Sequence, residues 1–213
     1  MIKPSAANFV PKSASLADLR DAVQSCRGCE LYRCATQAIF GEGPRSSNIV
    51  FIGEQPGDEE DRKGRPFVGP AGRWFDRALR EAGIERLEVY ITNAVKHFKF
   101  EERGKRRIHK KPTAAESRAC RPWLEAEMAA IRPDILVCLG ATAAQSVFGA
   151  AYRVTQQRGM FQEHEWAPRA TSTVHPSAIL RAPEELRHEE FRRFVDDLKK
   201  IEVASRKGVG RLK

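Results

Sequence analysis

The chain has 213 residues, with 37 Lys+Arg against 28 Asp+Glu and a formal net charge of +9. With 41% apolar and 31% charged residues, it has the length and composition of one α/β domain with a sizeable core. No run of about 18 apolar residues occurs, which excludes a membrane-spanning helix, and the cationic surplus favours an anionic partner such as nucleic acid.

In chain order, residues 1–13 hold two prolines and no apolar period, and read as a loose arm without a signal-peptide core. "SASLADLRDAVQSC" opens with serines that can cap a helix and continues at helical spacing. "NIVFIGEQPG" (48–57) is a β-branched and aromatic run that stops at a Gly/Pro turn, the pattern of a buried strand. "GPAGRWFDRALREAGI" (69–84) carries Trp74, Leu79 and Ala82 on one stripe and predicts a helix. "LEVYITNAVK" (87–96) predicts a second strand, and a polar, basic stretch covers about 97–112. Residues 112–131 predict a helix with a Thr113/Glu116 capping box, interrupted near Pro122. "DILVCLGATAAQSVFG" (134–149) predicts a strand, a glycine turn and a helix. "ATSTVHPSAILR" (170–181) predicts a fourth strand that breaks at His-Pro, and 182–204 predicts a long amphipathic helix. A basic tail, 205–213, should fray. No internal boundary is visible, so 1–213 reads as a single domain.

Strands alternating with helices predict a parallel sheet covered on both faces. Ligands of such sheets bind beyond the carboxyl ends of the strands. The predicted strands end in GEQPGD, TNAVKH and VHPS, so these polar turns should converge.

The five cysteines are odd in number, and "CRGCELYRC" spaces Cys26 and Cys29 as C-x-x-C. In a chain without an export signal this pattern points to metal or redox chemistry in a reducing, cytoplasmic setting rather than to disulfides. Cys120 has polar surroundings and is a candidate further ligand. Cys138 lies in an apolar strand and reads as core. Cys34 is undecided by spacing alone, and C-x-x-C alone leaves zinc and a cluster both open. Glu54 and Asp58 flank a glycine turn that lets a ligand approach the backbone. Phe67 lies between glycines, where a planar base could stack. His175 stands at a strand end before a proline.

Together "GEQPGDEED…GRPFVGPAG", "YITNAVK" and "VHPSAILR", downstream of C-x-x-C, resemble the uracil-DNA glycosylase superfamily over about residues 18–200. The nearest part is the iron–sulfur branch, family 4. The resemblance implies a three-layer α/β/α fold with a central four-stranded parallel sheet and a pocket for uracil flipped out of the DNA stack. It places Glu54 and Asp58 beside the sugar, Phe67 on the uracil face, Asn93 on the uracil edge and His175 at O2. Arg181 falls in the segment that enters the DNA. The chemistry is coherent: base loss leaves positive charge on the sugar for a carboxylate to oppose, and negative charge on uracil for a histidine donor to hold.

Three features separate the chain from the usual family 4 pattern. His97 stands where a cysteine is usual, "ERGKRRIHKK" is inserted before Cys120, and Gln55 replaces a commoner alanine in the first motif. All three resemble the UdgX subgroup, and the resemblance puts Gln55 among the substrate-binding residues. That resemblance implies a 4Fe-4S cluster held by Cys26, Cys29, His97 and Cys120, and a basic loop with Lys105, Arg106 and Arg107 on DNA phosphates. It further implies that His109 of this loop bonds covalently to the sugar C1′ once uracil has left. The expected partner is uracil-containing DNA, single-stranded by preference because extrusion costs least there, acted on by a monomer. Two other readings remain: a turnover family 4 enzyme that frees the abasic site, and a non-catalytic nucleic-acid-binding protein with structural zinc.

Overall fold

A computed structural model describes residues 5–12 and 14–208. Helix α1 (Leu16–Val23) starts at Ser15, which forms a reciprocal capping box with Asp18. A short 3-10 turn, Glu30–Arg33, leads into the apolar strand β1 (Ile49–Gly53). Then come α2 (Asp58–Lys63), α3 (Pro70–Ala82) and β2 (Tyr90–Asn93). A hairpin follows, β3 (Phe100–Arg103) and β4 (Arg106–His109). Next are α4 (Ala114–Ile131), β5 (Ile135–Leu139), α5 (Ala141–Phe148) and α6 (Val154–Gln157). The chain continues through β6 (Gln162–His164), β7 (Ala167–Thr173), α7 (Pro176–Arg181) and α8 (Glu184–Gly208).

The main sheet has the order β2-β1-β5-β7-β6. Its first four strands are parallel and β6 pairs antiparallel with β7. Side chains alternate across each central strand. Phe51 of β1 and Val137 of β5 enter the layer with α3 and α8, whereas Ile52 and Cys138 enter the layer with α4 and α5. Both faces are therefore dry, which is why these strands are apolar throughout rather than alternating.

Four features depart from the sequence expectation. The sheet has five strands, not four, because "QEH" is a polar edge strand with no apolar signal. The basic stretch 97–112 folds as a hairpin around a two-residue Gly104-Lys105 turn, with Gly104 at φ +59°, a backbone region that glycine enters without strain. Helix α4 runs unbroken through Pro122; its buried Trp123, Leu124 and Met128 outweigh the one hydrogen bond that proline removes. The N-terminal arm is docked where it is described: Ala6 is buried and its N–H donates to Ala119 O at 2.7 Å. Residues 1–4, 13 and 209–213 of the arm and tail lie outside the described residues, and 205–208 complete α8.

Candidate active site

The carboxyl ends of β1, β2 and β7 open on one cavity of about 410 Å³, whose lining includes Asp58, Phe67, Asn93, His109, His175 and Arg181. Parallel pairing forces this convergence, since Gly53 lies beside Asn93 and β7 ends two residues before His175. Asn93 is 2% exposed, and its Oδ1 has no hydrogen-bond partner. A buried amide oxygen left in that state costs free energy unless a ligand satisfies it. A Cβ on Gly53 would lie 2.3 Å from Asn93 Oδ1 and 2.7 Å from Phe67 Cζ, so only glycine keeps both groups in place. Phe67 has a left-handed backbone, φ +54°, an uncommon state for an aromatic residue. Gly72 permits it: a Cβ there would lie 1.8 Å from Phe67 O. The Phe67 ring stands 5.7 Å from the His175 ring, across the cavity wall.

His175 caps α7. Its Nδ1 accepts the Ser177 backbone N–H at 3.1 Å and lies 2.8 Å from Ser177 Oγ. A nitrogen that accepts a backbone N–H carries no proton, so in the neutral ring the proton sits on Nε2. Burial pushes this imidazole down to about 4, with help from the Arg181 and His109 charges. His175 is thus a neutral donor at ordinary pH, as stabilising an anion at O2 would require.

The hairpin delivers His109. The Gln55 side chain clamps its base: Nε2 donates to Lys99 O at 3.2 Å and to Lys110 O at 3.1 Å, while Oε1 accepts the Lys99 N–H at 3.1 Å. Both ends of the Gln55 amide are therefore engaged with the hairpin. Arg107 points inward as well. It lies over the rings of Phe98 and Phe100, pairs with Asp58, and donates to Asp61 Oδ2 at 2.6 Å. Asp61 is fully buried and also accepts from the Thr36 N–H and hydroxyl. Of the three loop cations, Lys105 and Arg106 remain exposed and Arg107 fastens the loop. Asp58 is shared between Arg62 and Arg107, whose hydrogen bonds outweigh burial and hold its carboxyl below the usual range.

Held this way, His109 Nε2 stands 3.5 Å from Glu54 Oε1. Burial pushes the His109 imidazole below its ordinary value against the pull of Glu54, and Arg181 adds to the depression. The sequence reading missed Asp61, Ser177 and Glu60. Glu60 is buried, and its carboxylate accepts the N–H groups of Gly57 and Gly69, stapling the two loops of the pocket together. Asp61 lay one helical turn beyond Asp58 in "DEED", and Ser177 within "HPS".

Cys26, Cys29 and Cys120 share one region of the core, with Trp123 beside them. Trp123 Nε1–H donates to Cys26 Sγ at 3.1 Å and the Lys96 N–H to Cys120 Sγ at 3.3 Å. Such N–H···S bonds favour thiolates, whereas burial pushes Cys120 up to about 12 and raises Cys29. A bound cation would reverse that balance. His97 follows Lys96 directly, is buried, and is pushed down to about 4 by burial, so it is a neutral donor. Among the described residues, no three His, Cys, Asp or Glu side chains converge on one ion-sized point. The donor set and its hydrogen bonds fit a cluster that spreads its ligands over several metal atoms. Cys34 is exposed and Cys138 is buried in the α4/α5 layer.

Residues 40–199 match the family model described as the uracil DNA glycosylase superfamily. The chain belongs to that superfamily. It is 41% identical over 180 residues to a "Type-4 uracil-DNA glycosylase" of Thermotoga maritima, covering 84% of this chain and 88% of the relative. A protein of the same description from Archaeoglobus fulgidus is 37% identical, with coverage of 88% and 92%, and one from Sulfurisphaera tokodaii is 33% identical, with 84% and 83%. Within the superfamily, the chain therefore belongs to the type-4 family.

Proposed function

We propose that the protein excises uracil from DNA, single-stranded by preference, and then traps itself on the product through His109, as in the UdgX subgroup. The observation that carries this reading is the placement of His109. A hairpin clamped by Gln55 and Arg107 holds its ring over Glu54, at the mouth of a pocket with an unsatisfied Asn93 amide. In the proposed reaction the C1′–N1 bond breaks with its electron pair on uracil, and the His175 Nε2–H stabilises the anion at O2. A lone pair of neutral His109 then bonds C1′, and the proton on the other ring nitrogen passes to Glu54. Asn93 pairs with the uracil edge and Phe67 stacks on its face. Arg181 enters the DNA, and Lys105 and Arg106 reach phosphates. The test is a denaturing gel of the protein with a uracil oligonucleotide: a band stable to heat and SDS is expected, and free abasic product without it would favour simple turnover. Turnover is the second reading, favoured by the names of the type-4 relatives.

The depressed His109 pKa gives this trap a pH signature. Neutral imidazole is the nucleophile, so protonation stops bonding, and a lowered pKa moves that loss to lower pH. Adduct formation should stay level as pH falls to about 6.5, the value of an unperturbed histidine, and decline only below it. Single-turnover rates read from SDS gels across the pH range check this; an acid limb at or above that value contradicts it.

Cys26, Cys29, His97 and Cys120 would hold the 4Fe-4S cluster, which when bound ties the N-terminal segment to α4 and the end of β2. A histidine in place of a thiolate lowers the negative charge around it. Protein purified anaerobically should be yellow-brown with about four irons per chain. Cys26→Ser should lose the iron, whereas Cys34→Ser and Cys138→Ser should keep it. Stoichiometric zinc in place of iron would overturn the assignment.

A further inference from the structure

Three hollows in the structure join into one path. The base pocket shares Gln55, His109, His175, Ser177 and Arg181 with an adjoining lobe of about 330 Å³. That lobe shares Lys111 and Thr142 with a groove of about 590 Å³ between α4 and α5. Among the described residues the groove is lined by three cations, Lys111, Arg118 and Arg121, and by no carboxylate. Two other large hollows among the described residues are acidic. One has Glu85, Glu88 and Glu202 against Arg206, and the other Glu125, Asp134 and Glu165 against Arg132.

Arg121 gives the groove a fixed shape. Its Nη1 donates to Ser146 O at 2.9 Å, bridging α4 to α5, and Glu125 and Glu165 hold it from outside. Arg118 and Lys111 are exposed, and among the described residues neither has an ion-pair partner. Phe148, one face of which stacks on Tyr152 at 4.5 Å, lines the same groove. Cations without partners beside an aromatic ring are the elements of a single-strand track, in which phosphates meet charge and bases meet the ring.

We propose that this groove carries the DNA strand that flanks the flipped nucleotide on one side, with phosphates at Lys111 and Arg118 and a base at Phe148. The proposal rests on uracil-containing DNA being the substrate. It gives single-strand preference a physical origin, because a base can stack at Phe148 only when it is unpaired.

The test uses two labelled oligonucleotides whose uridine carries a 2′-fluorine, which resists base loss. One has its entire flank 3′ of the uridine, the other 5′. Binding is read by anisotropy at several salt concentrations for the unaltered protein, Arg118→Glu and Ala114→Glu. Ala114 opens α4 and is exposed, where an acidic side chain favours the helix, so its effect cannot be ascribed to unfolding. Each variant should weaken one oligonucleotide on the order of fivefold and leave the other unchanged, and Arg118→Glu, which removes a phosphate contact, should also lower the log–log salt slope by about 0.7. Equal weakening of both, or of neither, overturns the groove. Uracil release from the unfluorinated versions is measured alongside. No release by the unaltered protein overturns the functional reading, while the flank dependence still decides the groove.

Discussion

Replacing His109 by serine should convert the proposed trap into a turnover glycosylase. The SDS-stable band should vanish, while alkali-labile abasic product accumulates through repeated cycles. The reasoning starts from what the substitution leaves in place. The hairpin is held by the Gln55 amide at both its flanks and by Arg107 in its interior, and none of these contacts involves the His109 ring. The pocket groups Asn93, Phe67 and His175 sit on β2, on the loop before α3 and at the start of α7. Bond breaking therefore keeps its base pocket and its carboxylate. What is lost is the imidazole beside Glu54. A sugar oxocarbenium ion captures the nearest nucleophile, and in the space left by the smaller serine that is water. Water bonds C1′ and gives up a proton, so the product leaves as a free abasic site. A gel run before and after alkali separates the outcomes. A stable band with His109→Ser would place the nucleophile elsewhere.

The position of His109 was legible in the sequence only by resemblance, and the physical reason is instructive. Parallel strands buried on both faces favour apolar residues along their length, so "IVFIG" and "ILVCL" announced themselves, and with them the convergence of the turns that follow. Hairpin β3–β4 has no such signature. Its strands carry six charged or polar residues around Ile108 and Phe100, because they lie outside the main sheet and face solvent. Its order comes from partners far along the chain. Arg107 finds Asp58 and Asp61 across the fold, and Gln55 reaches from the end of β1 to both hairpin flanks. From charge alone Arg107 reads as a DNA ligand, and Gln55 reads as a substrate contact. The fold assigns both side chains to holding the loop that presents the histidine. Edge strand β6 escaped notice for a related reason: three residues with one-sided pairing need no apolar pattern. The cysteines proposed as cluster ligands lie at the other extreme. C-x-x-C is visible at once, but the gathering of Cys120 with Cys26 and Cys29 depends on how α4 packs on the N-terminal segment, which no local pattern encodes.

Glu54→Gln should have the opposite character to His109→Ser, because it suppresses trapping and base release together. Glutamine keeps the shape of the side chain. The Glu54 backbone is held independently, its carbonyl accepting the Val95 N–H at 3.0 Å, so the fold should survive. The change removes one negative charge beside the position where positive charge develops on the sugar. Pre-oriented electrostatic support of this kind is worth roughly 2.7–4 kcal/mol, or about 10²–10³ in rate, when one interacting group is deleted. It also removes the acceptor for the His109 proton, so any adduct that still forms should be easier to reverse. Binding of uncleavable uracil DNA should hold or tighten, since a negative charge has left a site that meets phosphates. That divergence identifies the role. A residue needed only for structure would weaken binding and rate together, whereas one that opposes charge in the transition state lowers the single-turnover rate at undiminished affinity. Near-normal uracil release by Glu54→Gln would show that the sugar cation is stabilised by another group. Asp58 is the remaining carboxylate assigned there, and it would have to act while still paired with Arg62 and Arg107.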